Sequence, residues 1–192
     1  MKVCVFGGTN PATNPKWYGV AEEVGKLLVE NNIELVWGGN SHGVLAKIYK
    51  EYVEKQGKQT LFLPEVYKDD LKSMETLDSK EVVMTQTVCQ RAEAMLAAAD
   101  VVVVMPGGIG TIFEFWTAIE VRRAEEYKFD IILLDYDNFY KHQLAHYDFI
   151  NDQGFTKIGV GGAPYRIDPK DLFKVAKTPK EVIDLLKQTK KK

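Results

Sequence analysis

The 192-residue sequence predicts the α/β fold class: a doubly wound parallel sheet with helices on both faces. Three observations predict it. Short apolar, β-branched runs alternate along the chain with stretches of helical period. The run Val101-Val102-Val103-Val104 is apolar at every position, as a strand covered on both faces requires. Glycine clusters follow three of the expected strands, where such folds place their strand-to-helix turns.

In chain order, strands are expected at Lys2–Phe6, Glu34–Trp37, Thr60–Leu63, Glu81–Met84, Val101–Val104 and Ile131–Leu134. Helical patterns lie between and after them, at about Lys16–Glu30, Val44–Lys55, Val88–Ala98, Thr111–Glu125 and Phe139–Asp152. Gly154 is a suitable stop for the last of these. A final helix over Pro179–Gln188 is punctuated by Thr178 as cap, Pro179 at the first helical position and Glu181 closing a capping box. The polar stretch Pro64–Ser79 reads as a long surface loop near a sheet edge. There is no internal repeat and no interdomain linker.

With 45% hydrophobic and 27% charged residues, the chain has the means to build one full core. A formal net charge of -2 gives no reason to expect nucleic acid or an anionic membrane as partner. No window approaches 18 apolar residues, and a strand pattern beginning at Lys2 leaves no signal peptide, so the cytoplasm is the expected compartment. Cys4 and Cys89 lie too far apart in sequence to suggest a disulfide framework or a metal site.

Gly7-Gly8 follows the first strand, Gly38-Gly39 the second, and Gly107, Gly108 and Gly110 the fifth. In a parallel sheet these turns share the carboxyl edge, where ligands bind at the topological switch point. Glycines admit close backbone approach, and the free N–H groups of a helix start attract anions. Three such turns on one edge point to a nucleotide-sized, phosphate-bearing ligand. The pattern is not the dinucleotide fingerprint, because the third small residue would fall on Phe113. Nor is it a P-loop, since Val44 and Leu45 stand where Lys and Ser/Thr are needed. Thr111-x-x-Glu114 fits two readings, a capping box or a functional threonine and carboxylate beside the phosphate.

Arg91 is the second candidate. Thr87-x-x-Gln90 marks a helix start, and an arginine in that first turn opposes the helix dipole unless an anion lies nearby. Asp100 is read as a structural acid. His142 and His146 fall at i, i+4 without a third ligand and are read as a surface pair.

Together these residues resemble the LOG ("Lonely Guy") family of phosphoribohydrolases, often labelled lysine decarboxylases. The signature Pro-Gly-Gly-x-Gly-Thr-x-x-Glu is matched at Pro106–Glu114, and the family's arginine motif in part by Arg91, with Met95 and Ala99-Asp100 in register. Val3–Thr9 resembles the family's first strand and phosphate turn, and Gly38-Gly39-Asn40 with Gly43-Val44-Leu45 its second glycine segment. The chain departs from the pattern at Val88-Cys89, Ala92, Asn40, Val121 and Arg123, so the base is not assigned.

The resemblance implies a single Rossmann-like, nucleotide-binding hydrolase domain over residues 1–189; the lysine run at 190–192 reads from its composition as a frayed, disordered tail. It implies hydrolysis of the N-glycosidic bond of a nucleoside 5′-monophosphate, of the AMP or cytokinin riboside monophosphate type, to free base and ribose 5-phosphate. Glu114 and Arg91 would be catalytic. Gly8, Thr9, Gly39, Asn40, Gly107, Gly108, Gly110 and Thr111 would bind the phosphate or nucleotide. No metal or redox cofactor is called for, and no lysine is marked for the Schiff base a decarboxylase would need. The family is dimeric, and Phe113, Phe115 and Trp116 cannot all face one sheet, so a homodimer is expected, with Arg122 or Arg123 reaching the neighbour. The alternative is a non-catalytic nucleotide or cofactor carrier on the same fold.

Overall fold

The structure is a computed structural model that describes residues 1–12, 14–39, 42–73, 82–156 and 167–189. Among the described residues, seven parallel strands form one sheet in the order β4-β3-β2-β1-β5-β6-β7. They are β1 (Lys2–Phe6), β2 (Glu34–Trp37), β3 (Gln59–Pro64), β4 (Val82–Thr85), β5 (Val101–Val104), β6 (Asp130–Leu134) and β7 (Lys174–Ala176). The helices are α1 (Lys16–Glu30), α2 (Gly43–Glu54), α3 (Val88–Ala97), α4 (Ile109–Arg123), α5 (Lys141–Asp152) and α6 (Pro179–Gln188).

Alternation along each strand divides the core. Val3 and Val5 of β1 and Val101 and Val103 of β5 face a cluster completed by α1, α2 and α6. Cys4, Phe6, Val102 and Val104 face a second cluster completed by α3, α4 and α5. Both faces are therefore dry, and this is why the valine run has no polar face. From β1 the chain winds through β2, β3 and β4 to one edge, then returns so that β5 pairs with the other side of β1. This reversal puts the switch point between the ends of β1 and β5.

Every expected strand and helix is present, with ends displaced by one or two residues. The largest consequence is at α4, which starts at Ile109 rather than Thr111. Within Pro64–Ser79, a 3-10 segment over Glu65–Ser73 kinks at Tyr67 instead of running as a loop. The rest of that stretch, with Glu81, lies outside the described residues, as does the 190–192 tail. β7 was not anticipated. It is a three-residue edge strand whose only buried residue is Ala176, too short for an alternation signal. The punctuation of α6 holds: Thr178 accepts from Glu181 N at 3.2 Å and Glu181 accepts from Lys177 N at 2.6 Å. Gly154 takes a left-handed φ of 82° after α5. Asp100 is structural, accepting from Lys2 N at 2.8 Å.

Candidate active site

The turns after β1 and β5 join beyond the strand ends. Met105 N donates to Phe6 O at 2.8 Å, and Gly8 N donates to Pro106 O at 3.1 Å. The junction is too tight for side chains: a Cβ on Gly107 would lie 2.1 Å from Thr111 Oγ1 and 2.7 Å from Gly8 N. Gly108 caps α4, and the first bond into the helix runs from Ile112 N to Gly108 O at 3.0 Å. The amides of Ile109, Gly110 and Thr111 precede that bond and point out of the helix end. At the start of α2 the situation is opposite, because Val44 N and Leu45 N donate to Gly8 O at 2.7 and 3.3 Å. Of these two helix starts at the crevice, α4 is the one free to receive an anion.

This geometry decides between the two readings of Thr111-x-x-Glu114. With Gly108 as cap, Thr111 is already the third helical residue, and its hydroxyl lies against Gly107 rather than on a cap amide. The capping-box reading is therefore set aside.

Thr87 caps α3 by accepting from Gln90 N at 3.1 Å, while Gln90 Oε1 accepts from Gln86 N at 3.0 Å. That start places Arg91 against the end of β2. Its Nη1 donates to Gly38 O at 3.3 Å and its Nη2 to Glu114 Oε1 at 2.9 Å. The anion that an arginine in this first turn called for is Glu114 itself. Glu114 is only 7% exposed. Burial pushes its carboxyl up to about 7, and the Arg91 guanidinium opposes that rise without cancelling it. Arg91 Nε is buried without a partner, so the guanidinium keeps a donor in reserve. The Cys4 thiol, fully buried on β1, is pushed well up by burial and by the charge of Glu114, which makes it inert rather than nucleophilic.

All seven glycines of the three turns line one crevice of about 1130 Å³. Arg91, Glu114, Gly8, Thr9, Gly39, Gly107, Gly108, Gly110 and Thr111 all line it as well, whereas Asn40 lies outside the described residues. The apolar walls were not foreseen: Trp17 from α1, Leu63 from β3, Tyr67 from the 3-10 segment and Phe139 ahead of α5. Leu63 and Phe139 carry a usable signal, since each lies at or just beyond the carboxyl end of a strand, on the edge where the glycines gather. Phe113 joins the wall at 45% exposure, while Phe115 is buried. Arg122 is engaged within the chain, donating to Asp130 at 2.9 Å and to Phe129 O. Among the described residues, no group of three or more His, Cys, Asp or Glu could hold a metal ion.

The fold and the crevice define a class: a doubly wound α/β protein with an open helix start at the switch point and a partly buried carboxylate–guanidinium pair beside it. A family model described as "Possible lysine decarboxylase" matches residues 33–186, and the chain belongs to this family, the LOG family. It is 31% identical over 154 residues to the "Probable cytokinin riboside 5'-monophosphate phosphoribohydrolase LOG4" of Oryza sativa subsp. japonica, covering 80% of this chain and 66% of the relative. It is 30% identical over 155 residues to the "Cytokinin riboside 5'-monophosphate phosphoribohydrolase LOG7" of Arabidopsis thaliana, covering 80% of this chain and 70% of the relative. The chain thus spans just under two thirds of the rice relative's length. These relatives support phosphoribohydrolase activity at the level of the family.

Among solved structures, the chain resembles the molybdenum cofactor binding protein of Rippkaea orientalis, with a TM-score of 0.67, 20% identity, and coverage of 97% and 95% of the two chains. It resembles the molybdenum cofactor carrier protein of Chlamydomonas reinhardtii at the same TM-score of 0.67, with 21% identity and 98% and 96% coverage. At this identity the likeness is one of fold. No lysine is among the described residues that line the crevice, so none of these supplies the amine that a Schiff base would need.

Proposed function

We propose that this protein hydrolyses the N-glycosidic bond of nucleoside 5′-monophosphates, releasing the free base and ribose 5-phosphate. The observation that carries this reading is the ion pair between the partly buried Arg91 and the buried Glu114, which stands about one helical turn beyond the open start of α4. The 5′-phosphate binds the amides of Ile109, Gly110 and Thr111, with the Thr111 hydroxyl and the turn at Gly8 and Thr9 closing around it. Held there, the ribose lies over Glu114.

As the glycosidic bond lengthens, its electron pair leaves with the base and positive charge develops on the ribose. The Glu114 carboxylate, ionised above about pH 7, faces that charge and accepts the proton of the attacking water, whose oxygen bonds to the anomeric carbon. The departing nitrogen takes up a proton from solvent to leave as neutral base, and Glu114 returns the proton it accepted to solvent, so the two hydrogens of water end on the base and on the new ribose hydroxyl. Arg91, always charged, polarises the substrate through hydrogen bonds and donates no proton. Incubating the protein with a panel of nucleoside 5′-monophosphates and assaying free base tests the reading.

A second reading, a non-catalytic nucleotide or cofactor carrier, is favoured by the fold shared with proteins named as a molybdenum cofactor binding protein and a molybdenum cofactor carrier protein. Tight binding of a monophosphate without any release of base is its expected outcome in the same panel. The apolar rim of Ile109, 89% exposed, with Phe113 and Val88 supports assembly as a homodimer, in which a second copy covers the mouth of the site.

A further inference from the structure

A buried tyrosine outside the signature donates its hydroxyl hydrogen bond to the backbone just after β5. β1 and β5 pair in register up to Phe6 and Val104, and Met105 N still donates to Phe6 O at 2.8 Å. In the regular continuation of a parallel ladder, Gly8 N would take the next acceptor, Met105 O. It takes Pro106 O instead, at 3.1 Å, and Met105 O accepts from the Tyr140 hydroxyl at 2.6 Å. Pro106 has no N–H, so the Met105–Pro106 peptide plane can be held only through its carbonyl. Tyr140 therefore replaces a ladder donor at the point where the strand leaves the sheet. That lets the Pro106 carbonyl turn onto Gly8 and brings Gly107 against Gly8 and Thr111.

Tyr140 is itself fixed from behind. It is 0% exposed, its ring tilts on Phe115 and its edge meets Phe139. Tyr140 N donates to Asp135 Oδ1 at 2.7 Å, and Asp135, 1% exposed at the end of β6, accepts from Lys177 Nζ on its other oxygen at 2.5 Å. Lys177 also reaches Asn138 Oδ1 at 3.1 Å. Between them Asp137 and Asn138 sit at φ 52° and 55°, a left-handed conformation that non-glycine residues adopt at a cost. The segment Asp135–Tyr140 is thus clamped into a single path whose end is the hydroxyl on Met105 O.

We propose that Tyr140 is a positioning residue for the 5′-phosphate cradle, acting through the Met105 carbonyl and set in place by the Asp135–Lys177 pair. The proposal rests on the reading of this site as a nucleoside monophosphate site. Its effect falls on the phosphate end of the ligand and leaves the base end alone.

The test measures binding of ribose 5-phosphate and of adenine separately, by calorimetry, on the wild-type chain and on Tyr140→Phe, which removes the hydroxyl and keeps the ring. The expected result is a loss of about tenfold in ribose 5-phosphate affinity, the equivalent of one buried hydrogen bond, with adenine affinity unchanged. KM for AMP should rise more than kcat falls. Lys177→Met, at a half-exposed side chain, is the second variant should Tyr140→Phe fold poorly, with a smaller loss of the same selectivity. Equal weakening of both ligands, or no change in either, overturns the proposal. A wild-type protein that binds ribose 5-phosphate but releases no base overturns the hydrolase reading alone, and the binding comparison still decides the role of Tyr140. Wild-type protein that binds no ribose 5-phosphate overturns both.

Discussion

Replacing Glu114 by glutamine separates catalysis from packing, because the side chain keeps its shape and loses its charge. Turnover should fall by roughly a hundredfold or more, as expected for a group facing charge that develops only in the transition state. The stability signature is more specific. In the folded chain the carboxyl titrates at about 7 because burial disfavours its charge, against an ordinary value of 4.5. The native state therefore holds the proton more tightly than the unfolded chain, and this contribution is complete below pH 4.5 and lost as pH rises through about 7. At about 1.4 kcal/mol per pH unit, the interval amounts to about 3 kcal/mol. Glutamine has no such term. Arg91 stays charged throughout, so the cost of leaving it without its ionic partner is nearly constant and cancels between pH values. Urea unfolding of both proteins at pH 5, 6, 7 and 8 should show the variant gaining about 2.5 kcal/mol on the wild type across the series. Parallel stability curves would refute the argument that burial sets this carboxyl's titration. The same ionisation predicts that wild-type kcat/KM rises as pH increases through about 7.

Arg91→Ala should lower turnover or nucleotide affinity by tenfold or more, as removal of a charge-assisted hydrogen bond implies, while circular dichroism stays native; unchanged steady-state kinetics would return the residue to a purely structural role. Gly107→Ala forces a Cβ to within 2.1 Å of Thr111 Oγ1 and should open the junction with Gly8, costing about 1–3 kcal/mol in chemical denaturation and most of the affinity for ribose 5-phosphate. Sedimentation should give about twice the 21.7 kDa chain mass, and Ile109→Asp should shift it to that of one chain; a fully active wild-type monomer at micromolar concentration would contradict the dimer.

What was legible in the sequence is what depends on local pattern. The valine run, the three glycine turns and the cap at Thr87 each announce themselves within a few residues, and together they place the crevice. Arg91 was legible through a conflict, a cation at the wrong end of a helix dipole, and the structure resolves it with Glu114. The start of α4 was not, because Ile109 and Gly110 look like turn residues. Their helical conformation follows from the contact of Gly107 with Gly8, which joins segments a hundred residues apart. Trp17 and Phe139 meet only once α1 and the end of β6 are side by side. Tyr140 was hidden for the same reason: its hydroxyl matters only because the β1–β5 ladder skips one acceptor, and nothing near residue 140 records that.

The central claim, that a phosphate cradle positions a ribose for glycosidic hydrolysis, is tested most directly by comparing release of adenine from AMP and from adenosine under one set of conditions. On that claim, contacts to the phosphate would hold the reacting carbon against Glu114, so kcat/KM for AMP should exceed that for adenosine by at least a hundredfold, roughly the worth of two charge-assisted hydrogen bonds. Equal release of adenine from the two compounds would contradict the account.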